Sequence, residues 1–329
     1  MEQTTARIER ETATPPANLK FGVDLITFYD PSFWNVADHD AITAHAQSEP
    51  RAFWEKLLDG VAESGVTGIE PTFSPFNWRD AVEAFGSVDG FARELGRRGL
   101  SLASGYFAEL EDGTTITNPD VQAKVLSSAR DYAAFIKACG GDAMVMGLPM
   151  RESPDADPPL FVDLAMASRL GDFLNRLGAL TAKEGVRLAL HTEAHSMFST
   201  ARDVDLFMML TDPVYVSFCP DTAHLILAGA EPLEVISRHK ERMVIAHWKD
   251  ALGPMPADTP IDDTIHDRHR PYFCRFGIGR VDWHAWVRLL RDMRFRGWAI
   301  LELDAAPDPV AHIAAGRAYV GSALSSIYT

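Results

Sequence analysis

The chain has 329 residues, of which 47% are apolar and 23% are charged. These values are typical of a globular protein and exclude a disordered or fibrous chain. The formal net charge is −15 and the isoelectric point is near 5.1. Such a surface repels phosphate backbones and anionic membranes, so we expect no nucleic-acid partner.

The cysteines and the apolar runs indicate the compartment. Cys139, Cys219 and Cys274 form no Cys-x-x-Cys pair and are too few for a disulfide framework. No apolar run approaches the roughly 20 residues that span a bilayer. Residues 1–18 are polar and lack the apolar core of a signal peptide. We therefore expect a cytoplasmic protein with no membrane partner.

Eight short apolar runs alternate with helical patterns along the chain. They are continuous rather than alternating, which is typical of strands that are buried on both faces of a parallel sheet. The runs span residues 21–27, 67–70, 101–107, 143–148, 186–193, 214–221, 243–250 and 298–304. Between them, stripes such as Leu170, Phe173, Leu174 and Leu177 keep the spacing of one helix face.

Eight strand–helix units predict a single (β/α)8 TIM barrel over residues 19–329. A doubly wound open sheet is the competing architecture, but the Gly-rich phosphate loop that usually follows its first strand is missing here. Residues 1–18 form either a tail or a short helix that closes the bottom of the barrel. Residues 252–278 lack a clear period and predict a long loop, of the kind that often covers an active site.

Carboxylates and imidazoles follow several of the predicted strands. They are Glu70, His191, Glu193, His195, Asp221, His224, His247 and Glu302. A single Asp or Glu at such a position is usually a helix N-cap. Four consecutive strands, from the fifth to the eighth, nevertheless deliver these groups to the rim where barrel enzymes place their active sites. Such a set predicts a site for Mn²⁺, Mg²⁺, Co²⁺ or Zn²⁺.

The second half of the chain contains four motifs, CPDTAHLILAG, AHWKDA, FGIGRVDW and GWAILELD. They resemble those of the xylose-isomerase-like superfamily of metal-dependent TIM barrels, in the sugar isomerase/epimerase group that includes inosose dehydratase. In the first motif, Ala223 replaces the usual Gly of the family. The resemblance implies that Asp221, His247 and Glu302 are metal ligands, together with one residue of the fifth strand.

The fifth strand leaves two candidates for the fourth ligand. His191 stands where many relatives have a Glu, and Glu193 follows two residues later. Residues i and i+2 share one face of a strand, so either side chain can point into the barrel. We favour Glu193 because a carboxylate suits hard divalent ions, with His191 as the alternative. Among the metals we favour Mn²⁺, with Co²⁺, Mg²⁺ and Zn²⁺ as the other candidates.

The implied chemistry is proton abstraction next to a carbonyl, with a metal-stabilised enediolate. His195 is the first choice for the base, because an imidazole titrates near neutral pH. In the epimerase branch of the family the metal-bound carboxylates have this role, which would fall to Glu193 and Glu302. The candidate substrate-binding residues are Glu70, His224, Lys249 and, from the long loop, Arg275.

The sequence thus predicts a metal-dependent isomerase, epimerase, dehydratase or lyase that acts on a keto-sugar or keto-inositol. A homo-oligomer or a small accessory subunit is compatible with this interpretation. One alternative is a barrel that binds a sugar or a protein without catalysis. Another is an endonuclease-IV-like phosphodiesterase, which needs several metals and a basic face and therefore fits the acidic charge poorly.

Overall fold

The computed structural model describes residues 19–110, 118–153 and 162–325, so the predicted tail at residues 1–18 lies outside the described residues. Within these ranges the strands that form the barrel wall are all parallel to their neighbours. They are β1 (Lys20–Asp24), β2 (Gly68–Glu70), β3 (Ser101–Leu102), β4 (Gly105–Tyr106), β5 (Ala143–Met146), β6 (Arg187–His191), β7 (Val216–Cys219), β8 (Ala246–Trp248) and β11 (Trp298–Leu301). Two further strands, β9 (Asp250–Ala251) and β10 (Phe273–Cys274), form a separate antiparallel pair.

The wall consists of two arcs. One has the order β3-β2-β1-β11-β8, and the other has the order β4-β5-β6-β7. The arcs meet at one side through the continuous chain of β3 and β4, which together form the third predicted strand. At the other side they meet through isolated parallel bridges, Phe218 with Met243 and Asp221 with His247. The eight predicted strands are thus all present, and the chain forms the predicted (β/α)8 barrel.

Helices follow the strands, most of them on the outside of the barrel, and the helix of the long loop lies at its carboxyl end. They are α1 (Pro31–Trp34), α2 (His39–Ser48), α3 (Pro50–Glu63), α4 (Trp78–Phe85), α5 (Val88–Arg97), α6 (Pro119–Ala138), α7 (Leu164–Lys183), α8 (Ala201–Leu210), α9 (Thr222–Leu227), α10 (Pro232–His239), α11 (Ile265–His269), α12 (Trp283–Asp292) and α13 (Pro309–Tyr319). Asn118 caps α6 through its side chain, with Pro119 at the first helical position, as the sequence predicts.

The core has two layers because side chains alternate along each strand. Val145, Ala189 and Ile300 belong to a cluster inside the barrel. Met144 and Leu188, their neighbours along the strands, pack outward against the helices. Each fully buried aliphatic side chain of this kind stabilises the fold by about 1.5–3 kcal/mol. The apolar runs are continuous because both faces of the strands are buried.

Several observed strands end before the predicted runs do. β1 stops at Asp24, whose carboxylate accepts a hydrogen bond from the backbone N–H of Ile26 and turns the chain into a 3-10 helix. The seventh run is divided at Lys249, because Asp250 and Ala251 leave the wall to pair with β10. The long segment 252–278 therefore contains β10 and α11. No helix in the described part of the chain is both long and apolar enough to cross a membrane.

Candidate active site

A pocket of about 230 Å³ opens at the carboxyl ends of the barrel strands. Its polar and charged lining combines strand ends with residues of the long loop. The lining consists of Asp24, Ile26, Tyr29, Thr72, Phe73, Tyr106, His191, Glu193, His224, His247, Lys249, His266, Arg270, Glu302 and Asp304. A pocket of this size, with convergent polar groups, suits a small molecule rather than a polymer.

Four buried side chains converge at the floor of the pocket. His191 ends β6, Asp221 follows β7, His247 lies in β8 and Glu302 follows β11. Each offers one potential ligand atom, and these atoms all lie within 4.8 Å of one another. We call these four residues the floor group. It contains three of the residues that the resemblance implies as ligands, and its member from β6 is His191 rather than Glu193.

Each carboxylate of the floor group has one oxygen in a hydrogen bond to a neighbouring N–H group. Asp221 Oδ1 accepts from the backbone N–H of His224 at 2.8 Å, and Glu302 Oε1 accepts from Lys249 Nζ at 2.7 Å. The other oxygens face the imidazoles, with Glu302 Oε2 at 2.7 Å from His247 Nδ1 and Asp221 Oδ2 at 3.7 Å from His191 Nε2. Asp221 Oδ2 and both ring nitrogens of His191 are buried without a hydrogen-bond partner among the described residues. Buried polar atoms without partners are costly, so the floor group fits a divalent cation.

The protonation states of Glu302 and His191 also suit a cation. Burial raises the pKa of Glu302, but Lys249 and His247 lower it, and the net pKa lies well below its usual value. Burial lowers the pKa of His191 and keeps this imidazole neutral. An ionised carboxylate and a neutral imidazole are the forms that bind metals.

Glu70 lies behind the floor rather than in the pocket. Its Oε1 is 2.8 Å from His247 Nε2, and its other oxygen accepts from the Ser104 hydroxyl. Burial lowers the pKa of His247, but the carboxylates of Glu70 and Glu302 raise it to well above its usual value. Glu70 was predicted to bind substrate. In the structure it does not line the pocket, although Thr72 and Phe73 that follow it do, and it contacts a member of the floor group instead.

Glu193 belongs to a second buried group beside the floor group. Its Oε1 lies 3.3 Å from His224 Nδ1 and 3.6 Å from His269 Nδ1. Burial and the nearby Lys249 hold the pKa of His224 well below its usual value, and burial lowers the pKa of His269 to about 2. Glu193 thus lines the pocket next to two neutral imidazoles.

His195 does not line the pocket. Its Nδ1 lies 2.9 Å from Nε2 of His269, which stands between His195 and Glu193. Its φ of 66° is in the left-handed region, and its backbone is held by hydrogen bonds to Ser199 and Arg151. The residue two positions beyond Glu193 therefore turns away from the barrel axis, and His195 contacts the second group only from behind.

Lys249 lies in the pocket wall, as predicted. Its Nζ contacts Glu302 Oε1 at 2.7 Å, Asp304 Oδ1 at 2.5 Å and His224 Nε2 at 3.3 Å. Burial lowers the pKa of Lys249, but Asp304 and Glu302 raise it to well above its usual value. Lys249 is therefore a buried ammonium at the edge of the floor group.

The long loop contributes differently from the prediction. Arg275 is exposed and does not line the pocket, because β10 ends at Cys274 and the chain then leaves the site. Arg270 and His266 of the same loop line the pocket instead. Asp304 was also missed, although it closes the GWAILELD motif. The loop has no periodicity that distinguishes one arginine from another, whereas the motif was a usable signal for Asp304.

The barrel and the site at its carboxyl end define the class of this protein. The family model of xylose isomerase-like TIM barrels matches residues 58–321, so the chain belongs to that family. It is 23% identical over 239 residues to an inosose dehydratase of Clostridium botulinum, covering 69% of this chain and 78% of the relative. It is 27% identical over 229 residues to an inosose dehydratase of Lacticaseibacillus casei, covering 65% and 72%.

Solved structures show the same fold at low sequence identity. The IolI protein with a bound zinc atom aligns with a TM-score of 0.67 at 13% identity, covering 94% of this chain and 100% of that one. A xylose isomerase-like TIM barrel protein of Mycobacterium smegmatis, in complex with magnesium, aligns at 0.66 and 18%, covering 94% and 98%. The 3-keto-D-glucoside 4-epimerase YcjR of E. coli aligns at 0.62 and 15%, covering 91% and 99%.

Proposed function

We propose that this protein is a divalent-metal-dependent lyase of keto-inositols or related keto-sugars that abstracts a proton next to a carbonyl. The observation that carries the proposal is the floor group, a buried set of two imidazoles and two carboxylates at the floor of a small pocket. His191, Asp221, His247 and Glu302 would hold the ion. When bound, a divalent ion supplies Lewis-acid stabilisation of the charge that develops on a carbonyl oxygen.

Glu193 is the base in this proposal. It lines the pocket beside the floor group without belonging to it, and it faces neutral imidazoles that do not compete for its charge. His195 reaches the pocket only through His269, so we assign it a supporting position behind Glu193. The geometry favours Glu193 over His195, because a base must reach the proton that it removes.

Lys249 and His224 would orient the substrate hydroxyls. The Nζ of Lys249 and the Nε2 of His224 both reach the pocket and are 3.3 Å apart. Nδ1 of His224 accepts from the backbone N–H of Ala194 at 3.1 Å, which leaves Nε2 as the protonated nitrogen of a neutral ring. A substrate oxygen placed between the two would accept from both, and the charged Lys249 would stabilise a departing hydroxyl.

The reaction that we favour is dehydration. Glu193 takes the proton from the carbon next to the carbonyl, and the C–H electron pair becomes the C=C bond as the bond from the β-carbon to its hydroxyl breaks. The departing hydroxyl takes a proton from the Lys249 ammonium and leaves as water, and return of the abstracted proton from Glu193 to Lys249 through solvent restores both groups. This chain covers 78% of one inosose dehydratase and 72% of another, and this similarity supports elimination and a keto-inositol substrate. The structural likeness to a 3-keto-D-glucoside 4-epimerase makes reprotonation of the same carbon the competing outcome.

The test combines metal analysis with product analysis on the full chain. Elemental analysis should find about one divalent ion per chain, which is lost with EDTA and regained on reloading. The loaded protein, with EDTA-treated protein as the control, is then incubated with an inosose and with a 3-keto-D-glucoside. Loss of water in mass spectra supports the lyase, whereas a product of unchanged mass indicates an epimerase or isomerase. A chain that binds no metal at all would overturn the proposal and favour the non-catalytic barrel.

A further inference from the structure

His191 distinguishes the floor group from a site made of oxygens. It is 3% exposed, and neither ring nitrogen has a hydrogen-bond partner in the described part of the chain. Its Nε2 lies 3.7 Å from Asp221 Oδ2, and its ring centroid is 4.6 Å from that of His247. Both imidazoles and both carboxylates therefore face one buried centre, so nitrogen supplies half of the protein donors.

The two kinds of donor suit different ions. Mg²⁺ needs near-octahedral oxygen coordination and gives up its water reluctantly, so it is usually held by carboxylates, substrate oxygens and several waters. Imidazole suits transition metals, and affinity at a given site rises from Mn²⁺ to Co²⁺. The four ligand atoms of the floor group are all buried, which limits the water that an ion can keep.

We propose that His191 makes the floor group selective for transition-metal ions over Mg²⁺. The inference rests on the proposed function, since both need the same four residues to hold an ion. It goes further because it assigns selectivity to a single side chain. Glu at position 191 would give three carboxylates and one imidazole, a set that suits oxygen-preferring ions better.

The experiment is a competition between two ions. EDTA-treated full chain is loaded with one equivalent of Mn²⁺, Mg²⁺ is added, and released Mn²⁺ is followed by electron paramagnetic resonance. In the wild type we expect half-displacement only at an excess of Mg²⁺ over Mn²⁺ of about 100-fold or more, because nitrogen ligands disfavour Mg²⁺. In His191→Glu the required excess should fall about tenfold.

Two variants control for other effects of the substitution. His191→Gln removes the imidazole without adding charge, and we expect it to weaken Mn²⁺ binding about tenfold and Mg²⁺ binding less, so that the required excess of Mg²⁺ falls by about threefold, less than in His191→Glu. His284→Gln removes an exposed imidazole on α12 and should match the wild type. Circular dichroism of the metal-free variants checks that each of them folds.

The outcomes separate this inference from the proposed function. Half-displacement of wild-type Mn²⁺ at equal concentrations of Mg²⁺ overturns the selectivity while metal binding stands. An unchanged ratio in a folded His191→Glu variant overturns the role of His191. If that variant does not fold, the wild-type ratio and the His191→Gln result still decide. Failure of the wild type to take up Mn²⁺ in the first step overturns both proposals.

Discussion

Both mouths of the barrel contain charged residues, but these residues are exposed at the amino end and buried at the carboxyl end. The amino-end mouth surrounds a cavity of about 370 Å³ whose lining includes Lys20, Lys137, Arg187 and Arg296, all exposed to solvent. Arg187 pairs there with Asp142 at 2.8 Å, and both side chains are about half exposed. At the carboxyl-end mouth, the floor group is buried, and several of its atoms lack partners.

This difference indicates that the buried charges of the floor group at the carboxyl-end mouth serve a function rather than the stability of the fold. Exposed ions remain solvated and cost little, and an exposed ion pair contributes only about 0–1 kcal/mol. Buried ionic groups without partners cost several kcal/mol, and a bound cation offsets that cost. The contrast between the mouths therefore predicts opposite results when charges are removed from each.

The largest effect is expected from Asp221→Asn or Glu302→Gln. Each removes a negative charge that faces the centre of the floor group, so metal affinity should fall by about 100-fold or more and turnover should fall to background. Elemental analysis after dialysis measures the first effect. The metal-free Asp221→Asn variant should unfold at the same temperature as metal-free wild type or higher, because Asp221 Oδ2 is buried without a hydrogen-bond partner among the described residues. Metal-free Glu302→Gln should unfold at a lower temperature, because it loses the charge that pairs with the buried Lys249 at 2.7 Å.

An unchanged metal content in both variants would show that these carboxylates are not ligands. A large drop in the melting temperature of metal-free Asp221→Asn would show that Asp221 is structural. Either result would remove the proposed difference between charges that bind metal at the carboxyl-end mouth and charges without that function at the amino-end mouth.

The next effect is expected from Glu193→Gln. Removal of a general base lowers turnover by about 10²–10⁴-fold, and the metal should stay bound because the floor group is intact. His195→Ala is the matched variant, and its loss should be smaller because His195 acts through His269. Rates with an inosose, at fixed metal occupancy, compare the two. An equal or greater loss in His195→Ala would return the base role to that histidine.

Asp250→Asn tests a buried carboxylate at the carboxyl-end mouth that stabilises the fold and is not a member of the floor group. Asp250 is buried like Asp221, but its carboxylate accepts hydrogen bonds from Gly277, Gly279, Val281 and the indole N–H of Trp283. Weakening charge-assisted bonds to a buried carboxylate should lower the free energy of unfolding by about 2–3 kcal/mol. Denaturant unfolding of the metal-free protein measures this. A metal-free Asp250→Asn variant as stable as wild type would contradict the argument.

The smallest effect is expected from Arg187→Gln at the amino-end mouth. The pair with Asp142 is exposed, so the free energy of unfolding should change by no more than about 0.5 kcal/mol. Metal content should be unchanged. Thermal unfolding and elemental analysis check both expectations. A loss of metal would contradict the prediction, because it would show that a charge at the amino-end mouth affects metal binding at the carboxyl-end mouth.

The fold was predictable because the wall strands are buried on both faces. Strands of this kind need apolar residues at successive positions, and the sequence therefore shows eight continuous apolar runs. The floor group was largely predictable too, since Asp221, His247 and Glu302 lie in motifs with fixed spacing. The choice between His191 and Glu193 was not, because residues i and i+2 share a strand face. Only the end of β6 at His191, with Glu193 already in the following loop, separates the two positions.

The long loop shows the other limit of sequence analysis. Arg270 and His266 reach the pocket through a short helix and a two-residue strand pair, and neither leaves a periodic pattern. The position of His195 depends on a left-handed backbone conformation, which its residue type does not reveal. Contacts that depend on the path of an irregular loop are therefore available only from the structure.

The seam between the two arcs gives the floor group a mechanical consequence. His191 and Asp221 belong to the arc that ends with β7, and His247 and Glu302 belong to the arc that contains β8 and β11. Isolated bridges, supported by the hydrogen bonds from Val244 to Phe218 and from His247 to Pro220, join the arcs there. An ion held by all four side chains would link the two arcs at the seam, where the wall has isolated bridges in place of a continuous ladder. Amide protons along the seam would then exchange more slowly in the metal-loaded protein than in the metal-free protein, and the availability of metal would determine how often the barrel opens there.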